Sequence, residues 1–238
     1  MIERRLGPAR IVWTDRHGGV SSAPYDTANL AAGTGDDPSS VGENRQRLAA
    51  SLALSDPAGW WWLRQVHGTS VVVAEGESSG APPDADAAVT NRARTPLVVL
   101  TADCAPLALA CDDAAAVVHA GWSGLLAGVV EAAVEGLRAI GEGEVHGALG
   151  PCIRPARYEF GAADLDRLVE RLGPVVAART DDGRPALDLP AGVTAALAAV
   201  DVPPPDDVDV CTASSPDYFS YRRDGDTGRQ ALVVVIDP

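Results

Sequence analysis

Residues Leu97 to Gly124 read LVVLTADCAPLALACDDAAAVVHAGWSG. The apolar run LVVL delivers Thr101, Ala102, Asp103 and Cys104 to a turn marked by Pro106, and a second apolar run, AAAVV, delivers His119 to a Gly-rich turn. Short continuous apolar runs bounded by turn signals predict buried strands. A thiol and an imidazole therefore stand just past the ends of two strands, where loops held by a rigid sheet gather ligands and chemistry.

Upstream of this stretch, WWWLRQVHG at 60–68 predicts a strand ending in Gln65, Val66, His67 and Gly68. TSVVVAE at 69–75 follows so closely that the two predict a hairpin around His67-Gly68-Thr69. GESSGAPPDAD at 76–86 predicts a flexible loop, because Gly, Ser and Pro do not hold a ladder. AAVT then leads back into the central stretch. Nearer the N-terminus, ARIVWT at 9–14 predicts a first strand. The turn-rich DRHGGVSSAPYDTANLAAGTGDDP follows, whose Gly18, Gly19, Ser21 and Ser22 suit either a ligand or an ordinary surface loop. Asp37 and Pro38 start a helix, Ser40 and Glu43 have capping-box spacing, and Val41, Leu48 and Leu52 form its apolar face.

Downstream, Leu125, Val129, Ala133, Leu137 and Ile140 predict one helix over about 122–140. Gly121 and Gly124 near its start leave backbone N–H groups accessible to an anion. VHGALG predicts a strand, GPCIRPARYEFG a loop carrying Cys152, Arg154 and Tyr158, and AADLDRLVERLG and LPAGVTAALAAV two further helices. VDVPPPDDVDVC is a connector into a strand, DYFSYRRDGDTGR is polar and turn-rich, and QALVVVI is a buried closing strand.

The 238 residues permit one large domain or two small ones, with enough apolar content for a core. A formal net charge of −14 disfavours nucleic acid and anionic membrane surfaces as partners. No run approaches the roughly 20 apolar residues of a spanning helix, and MIERRLGPAR has no signal-peptide core, so a cytoplasmic protein is expected. Cys104, Cys111, Cys152 and Cys211 contain no CxxC pair, which argues against a disulfide framework. Nothing in the composition assigns an oligomeric state.

His67, His119 and Cys104 all sit at predicted strand ends. Two imidazoles and a thiolate form a donor set that Zn²⁺ accepts, with a fourth position left for water or substrate. The same residues support two other readings: a packed core thiol with strand-capping histidines, or a Cys104 nucleophile activated by His119 and oriented by Asp103 or His67. Spacing alone does not separate the three.

QVHGTSVV, DADAAVT, TADCAPLALA, VVHAGW, GPCI, YEFG and FSYRRDGDTGR, in this order, resemble the YfiH-type proteins, also called the multicopper polyphenol oxidase or laccase-domain family. The resemblance runs from TDRHGGVS to the last strand. It implies an α/β fold, a layered sandwich with β-sheets packed between helices, and a single YfiH-like domain over 1–238. It also implies a mononuclear zinc site, with ligands carried onto His67, Cys104 and His119 and copper the less favoured metal. The implied activity is phosphorolysis of purine nucleosides (adenosine, inosine, guanosine and methylthioadenosine) with phosphate as co-substrate, together with deamination of adenosine. Asp103 and Cys104 are the implied catalytic residues, Asp103 either as acid or base or as the partner orienting a ligand imidazole. Arg16, Gln65, Arg154 and Arg222 are candidates for substrate binding, and Arg223 a further phosphate partner by charge.

In one position the chain departs from the family pattern: HAGWSG stands where HAGWRG is usual, so Ser123 replaces an arginine. If that cation contacted phosphate, its loss weakens binding by about 1.5–3 kcal/mol, and Arg154 is the candidate to compensate. Three other functions share these residues: a copper-dependent phenol oxidase, an amidase editing cell-wall precursors, and a non-catalytic binding domain in a division complex. Four histidines, two of them in the proposed site, disfavour the first.

Overall fold

The central stretch forms three strands, Leu97–Thr101, Ala105–Ala110 and Ala115–Ala120, where the sequence predicts two. Pro106 lies inside the middle strand and not in a turn. A missing N–H is tolerated there because the residue opposite, His119, sends its own amide to the Asp86 carbonyl at 2.7 Å. Along Ala105–Ala110, Leu107 and Leu109 point to one face while Ala108 and Ala110 point to the other. This alternation of large and small residues on a fully buried strand calls for two different neighbours: helices over the bulky face and a second sheet over the small one.

The computed structural model describes residues 1–237. The strands, in chain order, are β1 (Ile2–Leu6), β2 (Ala9–Trp13), β3 (Trp61–Trp62), β4 (Val71–Val73), β5 (Ala87–Thr90), β6 (Leu97–Thr101), β7 (Ala105–Ala110) and β8 (Ala115–Ala120). They continue with β9 (His146–Leu149), β10 (Ala177–Arg179), β11 (Pro185–Leu187), β12 (Asp206–Asp207) and β13 (Gln230–Ile236). The helices are α1 (Pro38–Leu52), α2 (Trp122–Ala127), α3 (Val129–Arg138), α4 (Ala162–Leu172), α5 (Leu189–Ala198) and the short α6 (Tyr221–Asp224).

Two sheets carry the fold, one in the order β1-β2-β13-β6-β3 and the other β12-β9-β7-β8-β5-β4. Ile11, Trp13, Leu97, Val99, Leu232 and Val234 of the first pack on Ala88, Ala108, Ala110, Ala115, Val117 and Ala148 of the second. The outer face of the second sheet is covered by α2, α3, α4 and α5, and that of the first by α1 with Trp60 and Trp62. The expected layered sandwich of β-sheets between helices is therefore present. Among the described residues no helix is long and apolar enough to cross a membrane.

Several local expectations are corrected. The 60–75 hairpin does not form: β3 pairs in parallel with β6, whereas β4 pairs in parallel with β5 in the other sheet. The chain between them therefore crosses from one sheet to the other, carrying His67. The predicted 122–140 helix breaks at Gly128, whose φ of 102° ends α2 and starts α3. At α1, Pro38 takes the first helical position, so Asp37 is the cap and accepts from the Ser39 amide at 3.0 Å. Glu43 pairs with Arg47 and not with a Ser40 cap. The half-exposed β1 and the small β10–β11 hairpin carry too weak an alternation to be read from sequence.

Candidate metal centre

Strand parity places the site. Val117 of β8 and Ala88 of β5 point between the sheets, and by the same two-residue period His119, further along β8, and Asp86, just before β5, come to that face. The β7–β8 register pairs Ala105 with Ala120 and Pro106 with His119, so Cys104, one residue before β7, falls opposite Gly121 and diagonal to His119 on the same face. His67 arrives from the sheet-crossing segment. Ligand atoms of His67, Cys104 and His119 all lie within 4.8 Å of one another, and the Cys104 Sγ is 3.9 Å from His67 Nε2. The two imidazoles meet edge to face at 4.8 Å between centroids.

Asp86 organises this arrangement. Its Oδ1 accepts from His119 Nδ1 at 2.8 Å and from the His67 amide at 2.9 Å, and its Oδ2 accepts from the amides of Gly68 at 2.7 Å and Val66 at 3.2 Å. Successive N–H groups converging on one carboxylate form an anion nest, which explains how His67 is held at a positive φ of 56°. Taking the Nδ1 of His119 also leaves its Nε2 for a metal. Burial pushes the Asp86 carboxyl upward, but the His119 hydrogen bond, the amides and the His119 charge outweigh it, so its pKa lies below the ordinary carboxylate value. Asp86 was missed in the sequence because it ends a segment that reads as flexible loop. Its signal was its place directly before the buried strand AAVT.

Burial likewise pushes the Cys104 thiol up, yet the charge of His119 and hydrogen bonds from both imidazoles bring it down to about 6. His119 shows the converse: burial lowers it, but the Cys104 charge and the Asp86 bond raise it to about 9. Thiolate and imidazolium stabilise each other, so Cys104 offers an ionised sulfur, and a metal ion would take the place of the proton on His119 Nε2. Gly121 permits the close approach, since a Cβ there would lie 2.8 Å from His67 Cδ2 and 3.2 Å from Cys104 Sγ. The glycines at the start of α2 thus serve packing against the ligands: a Cβ on Gly124 would meet the Gly68 carbonyl at 3.2 Å. Ser123 adjoins the same turn, its hydroxyl 3.4 Å from the His67 carbonyl.

These three side chains open onto a cleft of about 790 Å³, walled by Leu63, Gln65 and Leu100–Ala102, by the 31–34 loop, and by Trp62, Tyr221, Arg45 and Arg229. Of the remaining expected site residues only Gln65 lines it, and its amide is engaged at both ends by the backbone of Leu100, at 2.7 and 2.8 Å. Arg16 binds the Asp26 carbonyl at 2.8 Å and pairs with Asp26 and Asp224. Arg154 makes a two-pronged pair with Asp207 at 2.6 and 2.7 Å, which removes it as a substitute for a cation at position 123. Arg222 donates from its side chain to the Glu159 carbonyl at 2.6 Å and stacks 4.8 Å over Tyr158. Arg223 ties down Thr212, Ser215 and Tyr218 carbonyls. None of these four arginines lines the cleft.

Asp103 does not orient a ligand imidazole, because Asp86 has that place. The buried Asp103 carboxylate accepts from Thr212 Oγ1 at 2.6 Å and from the Arg222 amide at 2.7 Å, anchoring the first turn of α6, and its backbone is held at a φ of 104°. Arg45 and Arg229, which sequence reading did not single out, do line the cleft; their signal is visible only once distant segments meet.

The family described as multi-copper polyphenol oxidoreductase laccase matches residues 10–237. A Streptomyces griseus protein named purine nucleoside phosphorylase is 44% identical over 238 residues, 97% of this chain and 96% of that protein. The Shigella flexneri purine nucleoside phosphorylase YfiH is 41% identical over 224 residues, covering 92% and 90%. A crystal structure of a Neisseria meningitidis protein of the DUF152 family superposes with a TM-score of 0.89 at 31% identity, over 100% of this chain and 99% of that one. The ordered motifs, the layered sandwich and these full-length likenesses agree, and the chain belongs to the laccase-like YfiH family.

Proposed function

We propose that the protein is a zinc-dependent purine nucleoside phosphorylase acting on adenosine, inosine, guanosine and methylthioadenosine, and that the same site deaminates adenosine. The observation that carries this reading is the convergence of His67, Cys104 and His119 at a cleft large enough for a nucleoside. The phosphorylase names of the relatives support it. The donor set fits a borderline-soft ion bound by two neutral imidazoles and one thiolate. When bound, such an ion supplies a Lewis-acidic positive charge beside the substrate.

The chain's own residues do the rest. Asp86 fixes the tautomer of His119 and the turn of His67, and the low thiol pKa keeps Cys104 ionised. Between two imidazoles, Cys104 is better placed as a ligand than as a nucleophile. Asp103 is a positioning residue, holding the Ala102–Cys104 turn against Thr212 and α6. Leu63, Leu100 and Trp62 supply apolar wall for the purine. Polyphenol oxidation by several copper ions lacks donors: His17 pairs with Asp217 and His146 is exposed at the start of β9, both outside the cleft.

The test is incubation of the metal-loaded protein with adenosine, with and without phosphate. Adenine that forms only with phosphate, and inosine in either buffer, are expected, and both vanish in Cys104→Ala together with the bound metal. Absence of both products from metal-replete wild-type protein would overturn the reading.

A further inference from the structure

In a chain with 33 acidic and 19 basic residues, a half-buried arginine readily finds a carboxylate. Arg10, Arg16 and Arg154 each do so, with Asp237, with Asp26 and Asp224, and with Asp207. Arg45 and Arg229 are half-buried as well, yet among the described residues neither has a carboxylate within ion-pair distance. Both line the cleft that contains the metal ligands. Withdrawing an unpaired cation from water is unfavourable, so two of them lining one cleft mark a place for an anion that the chain itself does not supply.

Their mounting keeps them there. Arg45 Nε donates to the Leu30 carbonyl at 2.9 Å and its guanidinium lies 3.8 Å over the Trp62 ring. The Leu30 amide donates to the Arg229 carbonyl at 3.1 Å, and the Arg229 amide is held by Asn29 Oδ1 at 2.9 Å. Both arginines are thus tied to the same residue, Leu30, one from α1 and one from just before β13. Arg229 uses Nη1 on the Thr227 and Gly228 carbonyls, at 2.7 and 2.9 Å, and Arg45 uses only Nε. Arg45 therefore keeps both Nη groups, and Arg229 keeps Nε and Nη2, without a partner among the described residues. A guanidinium edge of this kind matches two oxygens of a phosphate. Burial lowers both pKa values, that of Arg45 to about 10, still well above neutral pH.

We propose that Arg229 and Arg45 form an oxyanion subsite of the cleft that takes inorganic phosphate as second substrate. This rests on the phosphorolysis reading above. In that reaction a phosphate oxygen forms the bond to C1′ of the ribose as the C1′–N9 bond breaks; the bonding pair leaves with the purine, which takes up a proton. The two cations gather the nucleophile into a strongly acidic protein and hold it beside the nucleoside.

The test measures thermal unfolding of the metal-loaded protein in chloride buffer with inorganic phosphate or adenosine 5′-monophosphate added, and KM for phosphate at saturating adenosine. Phosphate alone should raise the unfolding temperature of the wild type. In Arg229→Gln and Arg45→Gln the phosphate concentration for half effect and the KM for phosphate should rise about tenfold to a hundredfold, with KM for adenosine nearly unchanged. Arg64→Gln removes an equal charge at the cleft rim, from an exposed residue already paired with Asp84, and should keep the wild-type response. If a glutamine variant does not fold by circular dichroism, Arg229→Lys and Arg45→Lys, which keep the charge but lose the fork, should show a smaller loss. An unchanged phosphate response in the folded variants would overturn the subsite, as would a response to the nucleotide alone. Arginine-dependent phosphate binding without adenosine turnover sinks the phosphorylase reading and leaves the subsite standing. Turnover with an unaltered KM for phosphate in the variants does the reverse.

Discussion

At Asp86 one carboxylate holds the His119 imidazole and three amides of the turn that carries His67. Outer partners of this kind are worth about 10–100-fold in metal affinity. Asp86→Asn, which replaces an acceptor oxygen by a donor facing N–H groups, should weaken zinc binding by about that factor in a chelator competition. Asp103→Asn should keep zinc at wild-type affinity, because Asp103 touches Thr212 and Arg222, while losing about 1–3 kcal/mol of stability. Equal zinc loss in both variants would refute this division of roles. The pKa of Asp86 is depressed on folding, so its contribution is full above the ordinary carboxylate pKa of about 3.9 and fades as pH falls through the folded-state value. The stability gap between wild type and Asp86→Asn, measured by urea unfolding, should therefore be widest at neutral pH and narrow below about pH 4.

Among the elements, α2 shows how a short helix is shaped by the site beside it. Gly121 has a φ of −74°, which alanine adopts without strain, so Gly121→Ala tests contact alone. The added methyl would press on His67 and Cys104. Overpacking of this sort costs about 1–3 kcal/mol, which should appear as zinc affinity lowered by roughly tenfold or more with an unchanged circular dichroism spectrum. Unaltered zinc affinity would show that the ring of His67 yields freely. The strands β2, β9 and β13 were legible as short apolar-rich runs bounded by turns. The hairpin at 60–75 was misread for a physical reason: adjacent runs pair locally unless each finds a better neighbour. Here both found buried parallel partners in different sheets. The break at Gly128 was hidden since the apolar period continues across it.

Over the whole molecule, the two sheets approach through alanines on one side, Ala108, Ala110, Ala115 and Ala148, and larger residues on the other. Ala115→Leu should force them apart, destabilising the protein by about 1–3 kcal/mol in thermal or urea unfolding, and should disturb zinc binding, since His119 lies on the same face of the same strand. Stability at or above wild type would mean that the interface has room to spare. By itself the sequence determined the strand-and-helix alternation and the buried character of 97–120, and it singled out His67, Cys104 and His119 as the side chains proposed to be donors, because periodicity and side-chain chemistry are local properties. Only the tertiary structure decided that Asp86 holds those donors, that Arg16, Arg154 and Arg222 are tied up outside the cleft, and that Arg45 and Arg229 face it unpaired. These are matters of which partners distant segments meet. Here the meeting is set by a chain that crosses between two sheets at His67 and again at Cys104, so the site exists only where the crossings converge.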